Sequence, residues 1–199
     1  GGGTWTTGVI DVSLINDDTL VEFDASQTNS GLTTTNATQL TQLKDTSAPV
    51  VAIDAVSIIN IANENTYTVT GTCTIGDGNV TYLIHSPSAG TDSTASVTCS
   101  VGGTWTTGLI DVSAVNDDSL VEFDANQTDS GSNTTSATQL TILKDTSAPV
   151  VAIDALAIIN IANEASYTLT GTCSIGDGNV TYLIHSPSAG TDSTASVAC

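Results

Sequence analysis

Acidic side chains offer this sequence its clearest capacity for chemistry, and they occur in groups within predicted loops. The 199 residues include 21 Asp and Glu but only two basic residues, Lys44 and Lys144, so the formal net charge is −19. Grouped carboxylates repel one another until a cation neutralises them, and Ca²⁺ takes about six to eight oxygen ligands from flexible loops. The pattern therefore indicates calcium, with solvated turn residues as the alternative. The candidate ligands are Asp17, Asp18, Asp45, Asp54, Glu64, Asp77, Asp117, Asp118, Asp124, Asp129, Asp145 and Asp177.

Four cysteines fall in two pairs with the same spacing and no CxxC motif, which favours disulfides over zinc. Both members of the first pair lie on the apolar faces of predicted strands, so we expect Cys73 to pair with Cys99 in a core, and Cys173 with Cys199. Cross-chain bridges are the alternative. Disulfides indicate an extracellular setting or the cell surface. Five sequons fit that setting as candidate glycosylation sites: Asn36, Asn79, Asn126, Asn133 and Asn179.

The scarcity of basic residues argues against two classes of partner. Nucleic-acid phosphates and anionic membrane surfaces are both bound through Lys and Arg. No apolar stretch of about 18 residues is present, so we expect no membrane insertion in this segment, and the N-terminus lacks the features of a secretion signal.

Catalysis has little support in the sequence. His85 and His185 are the only histidines, each stands before a Ser-Pro pair, and no arrangement indicates a catalytic triad. We therefore expect polar surface histidines and no enzyme. Trp5 and Trp105 follow Gly-Gly-Thr and are expected to cap a core, with a sugar-stacking platform as the alternative.

The sequence repeats with a period of 100 residues. Comparing each of the first 99 residues with the residue 100 positions later gives 18 differences, hence 99 − 18 = 81 identities. A period this long indicates a domain rather than a solenoid unit. The segment 44–54 recurs unchanged at 144–154, and its Asp-Thr-Ser-Ala-Pro turn cannot continue a central strand.

These turns predict the domain boundaries. Residues 1–45 are expected to be the C-terminal half of a module, residues 46–145 a complete module, and residues 146–199 an N-terminal half. Either the sequence is a window from a longer array, or the two halves are completed by neighbouring copies of the same repeat, within the chain or between chains.

Strand signals dominate each module. Alternation of apolar and Thr or Ser residues gives the two-residue period of a strand with one buried face. Seven short strands with frequent turns predict an all-β fold of tandem immunoglobulin-like β-sandwich domains. The predicted strands are 50–53, 67–73, 80–84, 95–101, 104–112, 120–123 and 137–143, with an acidic loop over 124–131.

The alternation of strand directions sorts the acidic loops between two poles of each module. At the first junction this predicts Asp17, Asp18 and Asp45 opposite Asp77, Asp124 and Asp129. The second junction is expected to set Asp177 opposite a larger group, namely Asp54, Glu64, Asp117, Asp118 and Asp145. Calcium bound there would lock the joint.

Several short motifs follow one another in a distinctive order: Asp45–Pro49, Asp54, Glu64, Gly71, Gly103–Trp105 and the loop that begins at Asp124. In this order the chain resembles the bacterial immunoglobulin-like repeats of very large extracellular adhesins over the whole period. The resemblance implies extended stalks and calcium at domain junctions. The cysteine pairs and the scarcity of Lys depart from the family's pattern.

Together these features predict a structural repeat segment of an extracellular surface fibre, either an adhesin stalk or a filament, rigidified at its junctions. A glycan-binding β-sandwich module is the alternative and requires a groove around Trp105 or His85. An enzyme accessory domain is a third hypothesis, which requires a catalytic domain elsewhere in the parent chain.

Overall fold

The fold is all-β. The computed structural model describes residues 2–188 and 190–199, and these residues form antiparallel strand pairs and no helix. Accordingly, no described helix is long and apolar enough to span a lipid bilayer. The strands are β1 (Asp18–Phe23), β2 (Ser26–Thr28), β3 (Thr34–Asn36), β4 (Leu40–Lys44), β5 (Ala52–Ile53), β6 (Thr70–Thr72), β7 (Val80–His85), β8 (Ser93–Val97), β9 (Thr104–Thr106), β10 (Asp118–Thr128), β11 (Thr134–Ser136), β12 (Leu140–Lys144), β13 (Val151–Ile153), β14 (Gly171–Cys173), β15 (Val180–Ile184) and β16 (Ser193–Val197).

The chain divides into two compact units, residues 1–146 and 147–199. The first unit contains the segment predicted to be a complete module and, before it, residues 1–45. The division lies next to the second predicted turn. The second unit is described by itself below.

Residues 46–145 contain two antiparallel sheets that contribute to one buried core. One sheet has the order β5-β6-β9, and the other has the order β11-β10-β7-β8 with β12 also paired to β10. Phe123 and Ile84 of the larger sheet belong to the same cluster of buried residues as Trp105 of the smaller sheet. Strand β10 holds the larger sheet together because it pairs with three other strands.

Strand β10 is longer than the sequence predicts. The acidic segment from Asp124 was expected to be a loop, but the strand continues to Thr128. The reason is that Ala125 and Gln127 keep facing the core, so the alternation of buried and half-buried residues is not interrupted. Buried Gln127 exchanges hydrogen bonds with the backbone of Thr74, which satisfies its polar side chain.

Strand β7 is also one residue longer than predicted, β11 was not predicted, and the remaining strands of residues 46–145 overlap the predicted ranges but are shorter. The hydrogen-bonded part of the predicted strand 67–73 is β6, and that of 104–112 is β9. Gly71 of β6 lies under the Trp105 ring, where a Cβ would overlap both the indole and the Ala52 carbonyl. The indole Nε1 of Trp105 donates a 3.0 Å hydrogen bond to that same carbonyl oxygen.

The predicted disulfides are present. Cys73 bonds to Cys99 and Cys173 to Cys199, and both pairs have a Cα–Cα distance of 5.9 Å. Cys73 is buried in the core and Cys99 packs against it. Each bridge closes a loop over a sequence separation of 26, for which the chain-entropy model gives about 3 to 4 kcal/mol of stabilisation.

Residues 18–44 form the same strand pairs as the matching residues 118–144. Strand β1 pairs with β4, and β2 pairs with β3. Each residue pair in these two ladders lies 100 positions before a residue pair that joins β10 to β12 or to β11. Phe23, for example, lies opposite Leu40 as Phe123 lies opposite Leu140. The local sequence therefore suffices to form this half of the sheet.

The second unit contains two of the strand pairs found in the matching residues of the first unit. Strand β13 pairs with β14 and β15 with β16, in the registers of β5 with β6 and β7 with β8. Tyr182, Leu169 and Cys173 line an open groove of about 1070 Å³. The matching residues Tyr82, Val69 and Cys73 are buried in the core of the complete module.

A matched pair of substitutions tests this description of the core. Phe123→Ala removes a fully buried ring and should lower the free energy of unfolding by about 3 to 5 kcal/mol. Phe23→Ala removes an exposed ring and should change it by less than about 0.5 kcal/mol in dilute protein. Denaturant unfolding followed by Trp105 fluorescence measures both, and equal effects at the two positions would contradict the assignment.

Candidate functional site

The most prominent feature of the two incomplete segments is a large exposed apolar surface. The Phe123 side chain is 1% exposed, whereas Phe23 is 49% exposed. Trp105 is 2% exposed and Trp5 is 77% exposed. In the second unit Ile159 is 55% exposed, although its counterpart Ile59 is fully buried. The same side chains are thus core residues where a module is complete and surface residues where it is not.

The incomplete segments also leave strand edges without a partner. In the complete module β10 pairs with β7 over six residues, from Glu122 opposite His85 to Gln127 opposite Val80. Within the described strands, β1 and β2 pair only with β4 and β3, and β15 pairs only with β16. Each half therefore presents the backbone groups that, in the complete module, form the contact between the two halves.

An ion-paired lysine also connects the two halves of the complete module. The Lys144 side chain is 2% exposed, and its Nζ lies 3.2 Å from Glu64 Oε2 and 3.1 Å from Asp117 Oδ1. Glu64 comes from the first half of the module and the other two residues from the second. In the segment 1–45, Lys44 contacts Asp17 at 3.1 Å. The single ammonium compensates one of the two negative charges, so this group keeps a net charge of −1.

The segment between residues 44 and 50 is held from both sides. The Asp17 carboxylate accepts hydrogen bonds from the backbone amide and the hydroxyl of Thr46. The Asn133 Nδ2 donates to the Asp45 carbonyl oxygen from the following module. Gly131 lies against Asp45 so closely that a Cβ there would crowd the Asp45 backbone. Residues 45 and 46 thus have hydrogen-bond partners on both sides, Asp17 before them and Asn133 after them.

Three of the predicted calcium ligands interact electrostatically. Burial raises the pKa of the Asp77 carboxyl, and the negative charges of Asp129 and Asp45 raise it further. Asp129 itself accepts hydrogen bonds from Asn133, which lower its pKa against the opposing effect of burial. The charges of Asp45 and Asp129 thus act on Asp77, but the ligand atoms of these three residues do not all lie within 4.8 Å of one another, and the calcium site stays a prediction.

The remaining predicted ligands make protein contacts of their own. Asp54 accepts from Thr70, and Asp118 from Ser88 and from the amide of Leu120. Asp18 accepts from the amide of Leu20, as Asp118 does in the complete module. Burial opposes ionisation of Asp117, but hydrogen bonds from Thr146 and Lys144 lower its pKa overall. Asp145 follows β12, and Asp177 lies in the turn between β14 and β15.

Asp124 does not lie with Asp77 and Asp129, which corrects the sequence-based grouping. Because β10 continues through it, its carboxylate projects from the same face of the strand as Glu122. There both carboxylates meet His85, whose Nε2 lies 3.0 Å from Glu122 Oε2 and 3.5 Å from Asp124 Oδ2. His85 is the last residue of β7 rather than part of a loop. We name this group, together with Gln139, the His85 cluster.

Gln139 orients the carboxylates of the His85 cluster. Its Nε2 lies 3.2 Å from Glu122 Oε2 and 3.0 Å from Asp124 Oδ1. Within the part of the chain that the structure describes, His85, Glu122 and Asp124 are the only group of three or more His, Cys, Asp or Glu ligand atoms that all lie within 4.8 Å of one another. Sequence analysis missed it because the ligands come from two strands about 40 residues apart. The assignment of 124–131 to a loop also gave no reason to place Glu122 and Asp124 on one face of a strand.

The tryptophans and the sequons complete the predicted site residues. Trp105 is packed in the core, as expected, so its ring face is not available to a sugar. Asn133 uses its Nδ2, the atom that would carry a glycan, for hydrogen bonds to Asp45 and Asp129. Asn36, Asn79 and Asn179 are exposed, while Asn126 is half-buried within β10.

No protein-family model matches the chain, and no curated protein is significantly similar to it. Among solved structures, one described as a tetra-tandem repeat in the extending region of a large adhesion protein is similar, with a TM-score of 0.47 and 17% sequence identity. The match covers 89% of this chain and 44% of that one, so this chain spans less than half of its length.

A pH titration tests the hydrogen bonds that hold the linker. The Thr46 amide, then the Lys44 ammonium, lower the pKa of Asp17 from 3.8 to about 2. Because this folded-state pKa lies below the unfolded value, the carboxylate stabilises the fold above about pH 4, and the contribution is lost as the pH falls through about 2. In NMR spectra the Thr46 amide should shift with a midpoint at about 2.

The control for this titration is Asp17→Asn, which keeps the shape of the side chain but cannot titrate. The Thr46 amide shift with a midpoint at about 2 should then disappear. A midpoint at or above 3.8 in the unmodified protein, or an unchanged titration in the variant, would contradict the proposed hydrogen bond.

Proposed function

We propose that this chain is a structural repeat segment of an extracellular fibre whose modules are completed by neighbouring copies. Residues 147–199 of one copy dock on residues 1–45 of the next copy, so that two incomplete segments make one module. The protein then acts mechanically, because the reach of the fibre increases with the number of modules. Adhesin stalks and polymerised filaments both require such a segment.

The single observation that carries this proposal is the difference in burial between identical residues. The side chains that differ most, such as Trp5 and Trp105, have the same sequence neighbours, so the difference arises from the absence of the other half alone. An exposed apolar face of this size marks an interaction surface. Its best-matched occupant is the sequence that covers it in residues 46–145, supplied by a neighbouring copy of the same repeat.

Three further contacts support the same occupant. The free edge of β15 could pair with the free edge of β1 and β2 in the same register in which β7 pairs with β10. Trp5 would cover Gly171 as Trp105 covers Gly71, where only glycine leaves room for the ring. Glu164 would reach Lys44 as Glu64 reaches Lys144. Backbone pairing, apolar packing and charge thus favour one and the same docking geometry.

The linker contacts support the mechanical role. Asp17 on one side and Asn133 on the other hold residues 45 and 46, so successive modules resist bending at this point. One disulfide cross-links residues 73 and 99 and the other residues 173 and 199, and such bridges persist in oxidising, extracytoplasmic settings. The glycan-binding alternative loses its main support because Trp105 is a core residue.

Engineered cysteines test the docking directly. Positions 126 and 81 are cross-strand partners in the complete module, so Ser26→Cys and Thr181→Cys should come together between two copies. Mild oxidation of the full-length double variant should give disulfide-linked dimers, trimers and longer oligomers on a non-reducing gel. Both positions are exposed, so the substitutions leave the fold of each half intact.

A matched double variant serves as the control. Ser196 lies one strand further away, because the equivalent Ser96 pairs with Thr81 on the side of β7 that faces away from β10. Ser26→Cys with Ser196→Cys therefore places the two cysteines about 10 Å apart and should remain monomeric. A protein that stays monomeric in both variants, or that cross-links equally in both, would contradict the proposal.

Calcium at the junction is a further part of the proposal. It is supported by the negative charges of Asp45 and Asp129, which act on Asp77 and which a divalent cation would offset. Addition of Ca²⁺ to the full chain should raise the melting temperature, and Asp77→Asn should abolish the rise. An unchanged melting temperature up to millimolar Ca²⁺ would remove calcium from the account while leaving the docking of copies untouched.

A further inference from the structure

The His85 cluster has a composition that differs from the all-oxygen groups at the linker. It combines one imidazole nitrogen with two carboxylates on neighbouring strands, His85 at the end of β7 and Glu122 directly opposite it on β10. All three side chains are half-buried rather than fully solvated. Their donor atoms converge on a single point at the surface of the larger sheet.

Neither lysine of the sequence compensates the charge of the two carboxylates in the cluster. Glu122 and Asp124 carry two negative charges, and the sequence has only two basic residues. Both are already ion-paired, Lys44 with Asp17 and Lys144 with Glu64 and Asp117. The two carboxylates are held 3.0 and 3.5 Å from the same imidazole nitrogen, so a cation at their centre would relieve their repulsion.

The spacing of the donor atoms suits a small divalent ion. Zinc binds His nitrogen and carboxylate oxygen at about 2.0 to 2.2 Å with tetrahedral geometry, which places neighbouring donors about 3.4 Å apart. The separations from His85 Nε2 to the two carboxylate oxygens, 3.0 and 3.5 Å, differ from this value by a few tenths of an ångström. A nitrogen ligand favours a first-row transition ion over calcium, which prefers oxygen alone.

We propose that His85, Glu122 and Asp124 bind one divalent transition-metal ion of the zinc class, with water completing the coordination. Gln139 positions the two carboxylates through its hydrogen bonds. The ion bridges β7 and β10, which belong to the two different halves of a module. Metal binding therefore strengthens the contact that makes a module complete.

The same residues occur in the two incomplete segments. Glu22, Asp24 and Gln39 lie in residues 1–45, and Gln39 Nε2 already lies 3.1 and 3.2 Å from the two Asp24 oxygens. The matching histidine, His185, lies in the second unit. This second site rests on the proposed function, because it forms only when His185 of one copy meets Glu22 and Asp24 of the next.

Titration of the metal-free full chain with Co²⁺ and Zn²⁺ tests the proposal. Co²⁺ should develop the visible absorption of a low-coordinate site, and Zn²⁺ should displace it while Ca²⁺ does not. Dilute monomer should take up one ion per chain, and joined copies nearly two. The Asp45 group of acids would take up Ca²⁺ instead, so this competition separates the two sites.

Matched variants assign the ligands. His85→Ala and Glu122→Gln should each weaken Zn²⁺ binding to the monomer at least about 100-fold, and Gln139→Ala about 10-fold. His185→Ala should leave the monomer's site unchanged and remove only the second ion from joined copies. Thermal melting of each variant without metal shows whether the fold is retained, and Glu122→Gln provides the test if the histidine variant does not fold.

The outcomes separate the two proposals. One ion per chain at every protein concentration supports the metal site and contradicts the docking of copies. Cross-linked copies that bind no Zn²⁺ contradict the metal site and leave the docking intact. Zn²⁺ binding that is equally tight in the His85→Ala and unmodified proteins would overturn the assignment to this cluster.

Discussion

The pairing of β7 with β10 is the interaction on which the rest of the structure depends. It joins the two halves of a module and places Phe123 in the core, where its ring contacts Tyr67 and lies opposite Ile84. It also brings His85 beside Glu122. Most of the other strand pairs form within one half, as residues 1–45 and 147–199 demonstrate. What makes a module complete is therefore a contact between segments that the repeat places far apart in sequence.

This arrangement links stability to assembly. Each half keeps its strand pairs and its turns, and the second unit keeps its disulfide, but an apolar face remains in contact with water in both. In the proposed docking, burial of that face would supply the main favourable free energy, because apolar area removed from water contributes about 25 cal/mol per Å². Buried Lys144 and Gln127 add polar contacts that only the correct partner satisfies, so specificity and stability come from the same surface.

Much of this could be predicted from the sequence. The two-residue alternation located the strands, the exact recurrence of residues 44–54 located the turns, and the position of the cysteines on apolar faces predicted their pairing. The His85 cluster could not be found in this way. Its ligands meet only through the register of β7 against β10. In addition, a run of Asp and Asn residues such as the one after Phe123 is typical of a loop, and only the structure shows that Ala125 and Gln127 face the core.

Amide hydrogen exchange of β15 measures the central claim most directly. In dilute protein the backbone amides of β15 that face the missing partner should exchange much faster than their counterparts in β7. As the protein concentration rises, the account predicts that they slow to the rates of β7, together with the matching amides of β1 and β2. Exchange that stays fast at every concentration, while the core of residues 46–145 remains protected, would contradict completion of each module by a neighbouring copy.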